Sequence, residues 1–484
     1  MLHRLSTGLR NSAHDAAART GALLNETTLR IAVTGLSRAG KTVFITSLIT
    51  NLLALGKGFD TLTAVHERIE GESGGAAVGR GESGETSRLR DIRLVPPGSS
   101  DTPVFDHARN LAALAAEAPA WPPRTDDLTE TAVELVLRRD GMFRQHLGPE
   151  RLRLEILDYP GEWLLDLPML DQSFQTWSRE TLARLREPPR SRAMAAFLEQ
   201  LPTAEAGGVP DHPRLRHLHE LYRQGLHACQ NEHGLRLLQP GCFLCPGPKA
   251  DAPFMWFFPL EGAPEHPLRG TLADLLRERF EAYKADMRAR FFETHFARFD
   301  RQVLLVDVLG ALHGGQAAFE DTQRALALIA GSLTYRQERG LVWPRRGAIE
   351  RVAFVATKAD HVPAMHRENL VHLLRDLVGD ARTSMDPRRV SFHAVASVLS
   401  TSDTSVEHGG IWRDVVRGTP VGAGEAKLFD PGDVPSARPK DGFWARRRFV
   451  LPVFEPKRPK QGGDMGIRHI GLDTVLTALL GDKL

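Results

Sequence analysis

The chain has 484 residues, which at roughly 150 residues per domain predicts about three structural units. Hydrophobic residues make up 42% and charged residues 25%, which supports a sizeable core and excludes wholesale disorder. Lys plus Arg number 62 against 60 Asp plus Glu, a net charge of +2, so no nucleic-acid partner is expected on electrostatic grounds.

From the N-terminus, residues 8–24 read as a short Ala-rich helix. The β-rich run Leu29-Arg-Ile-Ala-Val33 stops at a glycine turn, and from Val43 onward apolar residues recur at helical spacing. Residues 71–88 are rich in Gly, Ser and Glu and read as a loop. A helix near 105–117 ends at Trp121-Pro-Pro123. Thr131–Leu137 and Leu152–Leu157 alternate as an antiparallel pair with one wetter face would. Residues 164–300 have a mostly helical pattern, broken at Pro188-Pro189, Pro210 and Pro240-Gly241. Val303–Val306, Val352–Val355 and Val390–Val395 read as short buried strands, with helices at about 316–336 and 364–378 between them. That alternation predicts a mostly parallel α/β sheet. Residues 400–470 read as extended loops with a few edge strands, and a helix near 471–480 closes the chain. There is no internal repeat. No apolar run reaches the ~18 residues of a membrane span, and the N-terminus lacks a signal-peptide core, so a cytoplasmic address is expected.

Gly35-Leu-Ser37-Arg38-Ala39-Gly40-Lys41-Thr42 matches G-x-x-x-x-G-K-[ST] in full, after a β-run and before an apolar helix that opens with Val43. The glycines let the backbone curl, so that successive N–H groups face phosphate oxygens at a helix N-terminus. Lys41 then reaches the β- and γ-phosphates, and the Thr42 hydroxyl ligates Mg²⁺. Only ten of the 62 basic residues are Lys. A second one lies in Thr357-Lys358-Ala-Asp360, directly after a buried strand. A carboxylate there accepts from guanine N1–H and the 2-amino group together, which adenine does not offer, so GTP/GDP is the expected ligand. The Lys358 stem would lie along the base, and Thr357 would tie back to the phosphate loop. Ala396-Ser397, after the next strand, would place a backbone N–H at guanine O6.

Two strands end in Asp with Gly three residues on, at Asp158/Gly161 and Asp307/Gly310. A further helix, strand and helix must follow the switch before the base-reading strand, and only Asp158 leaves room for them. Asp158 is therefore the metal-side acid and Gly161 the γ-phosphate contact. Asp307 falls near the site or caps a helix. Thr125, after Trp121-Pro-Pro-Arg124, would complete the Mg²⁺ shell, and Arg124 would act as an in-chain arginine finger. Glu162 occupies the place of a water-orienting residue. A carboxylate polarises water but repels the γ-phosphate, so slow hydrolysis is expected.

These residues carry a family resemblance. The strings GLSRAGKTVFITSL, WPPRT, LDYPGEWLLDLP, LQPG, TKAD and RHIGLDTVLTALLGDKL resemble the YcjX family of bacterial stress-associated P-loop NTPases, from residue 28 to the C-terminus. The resemblance implies the α/β fold of a P-loop NTPase (Ras-like GTPase): a mixed, mostly parallel sheet with a large helical insertion. It implies a Mg²⁺-dependent GTP/GDP switch in the envelope-stress response, peripheral to the inner membrane and with an inner-membrane protein partner. An ATPase of the same fold, with Asp360 structural, and a scaffold with little turnover are the alternatives. Cys242-Phe-Leu-Cys245 departs from the family's Arg-Phe-Leu-Leu-like string. The expected division is an N-terminal helical segment (1–27), a first GTPase part (28–163), the insertion (164–300), a second GTPase part (301–400) and C-terminal loops with a closing helix (401–484).

Three features are set aside. Cys242 and Cys245, with His227, Cys229 and His233 upstream, look zinc-like, but a single C-x-x-C reads better as buried small hydrophobes. Residues 443–449 mix aromatics and Arg as a solvated edge strand does. His217 and His219 read as a wet helix face.

Overall fold

A computed structural model describes residues 26–71, 87–98, 102–123, 127–139, 149–338, 349–379, 386–446 and 452–484. The predicted helix at 8–24, most of the 71–88 loop, Arg124 and Thr125 lie outside the described residues.

Apolar residues at every second position make the first strand, β1 (Glu26–Gly35), two-faced. Ile31 and Val33 join one core and Ala32 the other. It sits at the centre of a seven-stranded sheet of order β2-β3-β4-β1-β5-β6-β7. The other strands are β2 (Leu89–Val95), β3 (Thr129–Leu137), β4 (Glu150–Asp158), β5 (Arg301–Val306), β6 (Arg351–Thr357) and β7 (Val390–Val395). β4-β1, β1-β5, β5-β6 and β6-β7 are parallel; β2-β3 and β3-β4 are antiparallel. This is the mixed, mostly parallel sheet that the alternation of strands and helices predicts. The edge strand β2 was not anticipated, because the charged string Arg88–Arg93 masks its alternation.

Helices α1 (Lys41–Gly56) and α2 (Thr63–Glu70) cover one face together with the closing helix, here α10 (Leu472–Leu480). Between them in sequence come α3 (His107–Ala115), α4 (Phe174–Leu185), α5 (His212–Asn231), α6 (Leu272–Met287), α7 (Val308–His313), α8 (Gly315–Glu338) and α9 (Arg367–Val378). The second core lies on the opposite face and runs through α8, α9 and the insertion. α1 is buried almost all round. Its polar residues are accommodated by bonds one turn back: the Thr46 and Thr50 hydroxyls each donate to the i−4 carbonyl at 2.7 Å, and Asn51 Nδ2 donates to Ser47 O.

The insertion is less helical than its pattern predicts. Between α5 and α6, residues 232–271 run as turns and short 3₁₀ pieces around buried Phe243, Phe257 and Phe258. The C-terminal edge strands do not extend the main sheet. They form a separate antiparallel sheet, β8 (Thr401–His408), β9 (Ile411–Gly418) and β10 (Lys427–Phe429), in the order β10-β9-β8.

Candidate functional site

Parallel strands put their C-terminal ends on one edge. Here that edge carries Gly35, Asp158, Asp307, Thr357 and Val395. From β1 the chain passes to β2–β4 on one side, then crosses to β5–β7 on the other. Such a reversal opens a crevice at the strand ends, where α/β sheets bind ligands.

The phosphate loop fills the crevice above β1. Gly35 is wedged against β5, and a Cβ there would lie 2.7 Å from Leu305 O. The turn closes with Ala39 N–H donating to Leu36 O at 3.1 Å. Arg38 and Gly40 take left-handed backbone angles (φ 66° and 81°), which turn their amides inward. Ser37, Ala39 and Thr42 are buried while Arg38 and Gly40 are exposed; Val43 is half-buried. Lys41 Nζ donates to Gly35 O at 3.3 Å, spanning its own loop.

Asp158 ends β4 opposite Val33, beside the loop. The residue is 1% exposed, and among the described residues neither carboxylate oxygen has a hydrogen-bond partner. Burial pushes its pKa up to about 6, against the pull of the Lys41 ammonium. A buried carboxylate without hydrogen bonds among the described residues, within electrostatic reach of Lys41 of the phosphate loop, fits a hard cation that takes oxygen ligands.

Gly161 follows, packed closely against the phosphate loop. A Cβ on it would fall 2.6 Å from both the carbonyl carbon and oxygen of Gly35 and 3.0 Å from Leu36 N. The segment Gly161–Asp171 thus begins in contact with the phosphate loop and continues as a 3₁₀ run. It is bonded to the insertion: Trp163 Nε1 donates to Cys245 O, and Asp166 accepts from Gly241 N, Cys242 N and Tyr283 Oη. Glu162 is 2% exposed, and its Oε1 accepts from Gln230 Nε2 at 3.4 Å.

On the other side of β1, Thr357, Lys358 and Asp360 follow β6, two strands away, roughly 10 Å at sheet spacing. Lys358 is left-handed (φ 62°), and its ammonium pairs with the Asp307 carboxylate. Asp307 also caps α7 through Gly310 N–H at 2.8 Å. Burial alone would raise its pKa, but Lys358 and the Gly310 amide hold it below the ordinary value. Thr357 does not tie back to the phosphate loop as predicted; its hydroxyl donates to Val306 O on β5 at 3.4 Å. Asp360 is 3% exposed, and its Oδ2 accepts from Ser400 N and Oγ at 2.7 Å and from Thr401 N at 3.1 Å. Ala396 N–H donates to Ile470 O, so this amide is already used within the fold. Ser397 O accepts from Ser47 Oγ on α1, which joins the base side to the phosphate-loop helix.

His219 corrects the reading of its helix. It lies on the buried stripe Leu215, Leu218, Tyr222, Leu226 and Cys229, and its Nδ1 is 3.1 Å from Phe257 O. Cys229, Cys242 and Cys245 are all buried thiols. The residue that sequence reasoning missed is Arg236, whose guanidinium feels the charges of Asp307, Glu162 and Arg38. It lies in a stretch without periodicity, so nothing in the local pattern singles it out.

Over residues 29–484 the sequence matches the YcjX-like family. It is 35% identical over 480 residues to a protein of Escherichia coli (strain K12) described as "Ras-like GTPase YcjX", covering 94% of this chain and 96% of that protein. A protein of the same description from Shewanella oneidensis (strain MR-1) is 32% identical over 493 residues, covering 98% of this chain and 99% of the other.

Proposed function

The chain belongs to the YcjX-like family, and on that footing we propose that it is a Mg²⁺-dependent guanine-nucleotide-binding P-loop GTPase working as a slow regulatory switch. The observation that carries the reading is the unpartnered Asp158 carboxylate beside Lys41 and Thr42 at the phosphate loop. Backbone amides of residues 35–43 would cradle the phosphates and Lys41 would neutralise them. Thr42 and Asp158 would hold the cation, with Thr125 as a further ligand. When bound, Mg²⁺ neutralises charge building on the β- and γ-phosphates. Gly161 would present its amide to the γ-phosphate, so the presence of that phosphate is felt where the switch segment touches the loop.

Asp360 would accept from the guanine edge. Its Oδ2 is fixed by Ser400 and Thr401, which orients Oδ1. With the Ala396 amide already used, Ser397 is the better candidate for O6. Lys358 and Thr357 would frame the base. Glu162 is a carboxylate anchored to Gln230, which suits slow turnover. The name shared by both relatives supports guanine over adenine. One observation favours an ATPase instead: Asp360 already accepts several hydrogen bonds from its own chain and has a structural role without any base.

The output would run through the insertion, which the switch segment grips at Asp166, toward an envelope-stress role and an inner-membrane protein partner. Among the described residues no helix is long and apolar enough to cross a membrane. Equilibrium binding of GDP and ADP with Mg²⁺ tests the reading. GDP is expected to bind at least about 100-fold tighter, the discrimination a hydrogen-bonding site provides. A preference for ADP ends it.

A further inference from the structure

The segment after α5 packs between α8 and the Gly161–Asp171 segment. Asp321 Oδ2 on α8 accepts from Arg236 N at 2.6 Å and from Leu237 N at 2.9 Å. The same carboxylate is paired with Arg190. Upstream, Gln230 donates to Glu162; downstream, the Gln239 amide donates to Leu165 O. Gly241 lies so close to the switch segment that a Cβ there would be 2.0 Å from Glu162 O. The main chain at Arg236 is therefore fixed from both ends against the segment that follows Gly161.

The Arg236 side chain has no such partner. Among the described residues it makes no ion pair, and its Nη1 is buried without a hydrogen bond. The charges around it are Asp307 at the end of β5, Glu162 beside Gly161, Arg38 of the phosphate loop, and Asp321. Burial lowers its pKa, and the carboxylates only partly oppose this. A partly buried guanidinium with a buried Nη1 that has no hydrogen bond among the described residues is unfavourable, and its planar fork matches phosphate oxygens. Asp158 is likewise a buried charged group with no hydrogen bond among the described residues.

Resting on the nucleotide reading of this crevice, we propose that Arg236 contacts the terminal phosphate of the bound triphosphate, so that the insertion supplies from within the chain the cation that stabilises phosphoryl transfer. In that step a water oxygen bonds to the γ-phosphorus while its bond to the β,γ-bridging oxygen breaks. The bond pair leaves with the diphosphate, and the proton from water ends on phosphate. Negative charge grows on the bridging and equatorial oxygens, where Arg236 N–H groups donate.

The test uses the full chain with Mg²⁺, comparing wild type, Arg236→Ala and Arg236→Lys. Affinities for GDP and for a non-hydrolysable GTP analogue are measured, with single-turnover GTP hydrolysis and thermal unfolding. In Arg236→Ala, GDP affinity should stay within about twofold while analogue affinity falls about tenfold. Hydrolysis should slow by about 100-fold or more, and Arg236→Lys, which keeps the charge without the fork, should recover only part of it. Should the alanine variant not fold, the lysine variant carries the comparison. A folded variant with the wild-type analogue-to-GDP ratio and wild-type hydrolysis overturns the assignment of Arg236 alone. Wild-type protein that binds neither nucleotide overturns the reading of the crevice with it.

Discussion

Charges inside proteins are paired or coordinate metals. Asp158 has no hydrogen bond or ion pair among the described residues, and burial raises its pKa. Asp158→Asn removes a buried charge while keeping the shape. In the absence of nucleotide and metal it should unfold about 1 kcal/mol less readily at neutral pH. The same variant should lose at least about tenfold in Mg²⁺-supported nucleotide affinity. Calorimetry without ligand and a Mg²⁺ titration with nucleotide read the two effects, and a variant less stable without ligand would contradict this view. His219 offers a separate test through pH. Burial pushes its pKa to about 4, only partly opposed by the bond to Phe257 O, against an ordinary value of 6.5. Between those values the unfolded chain binds a proton that the folded chain excludes. Stability is therefore full above pH 6.5 and falls as the pH drops toward 4. From pH 7 to pH 5 this amounts to about 2 kcal/mol. His219→Gln should lose that much less over the same interval in urea unfolding; equal losses in the two proteins would show that His219 is not the sensor.

The switch segment is the element through which a nucleotide could act. It starts in contact with Gly35 and ends bonded to the insertion, so any shift at Gly161 is passed to both. Packed backbone of this kind shifts as a body and does not deform smoothly. Gly161→Ala forces a methyl into the Gly35 carbonyl and should cost about 2 kcal/mol in stability. It should also abolish any difference between diphosphate and triphosphate states in protection of residues 161–171 from hydrogen exchange. A variant that still shows the difference would mean that the close contact is packing alone. The string containing this glycine was legible because strand-end Asp with Gly three residues on is a local pattern. The 232–241 segment was not legible: it has no period, and its contacts come from residues tens of positions away.

The whole molecule depends on its C-terminus. Arg301 at the start of β5 is fully buried; its Nε donates to Leu479 O, and its two Nη groups pair with Glu350 and Asp482. α10 also buries Leu472, Val475, Leu476, Leu479 and Leu480 against the sheet. Five such side chains contribute roughly 10 kcal/mol, comparable with the net stability of a domain. Deleting residues 472–484 uncovers that face and removes the Leu479 and Asp482 partners of Arg301, leaving it with Glu350, so the truncated chain should fail to fold cooperatively. A truncation that keeps the full-length melting temperature in circular dichroism would refute this.

The sequence by itself determined the phosphate-loop string and the alternation of strands and helices that builds a mostly parallel sheet. Each of these is written in residues close together or in the count of elements, and backbone sterics and hydrophobic period act at that range. The tertiary structure alone decided which groups lack partners. That the Asp158 carboxylate is dry, that the Ala396 amide is spent on Ile470, that His219 faces inward, and that Arg236 arrives from the insertion beside Asp307 and Arg38 all depend on burial and on charges far apart in the chain. Desolvation is a property of the packed whole, and no local string encodes it.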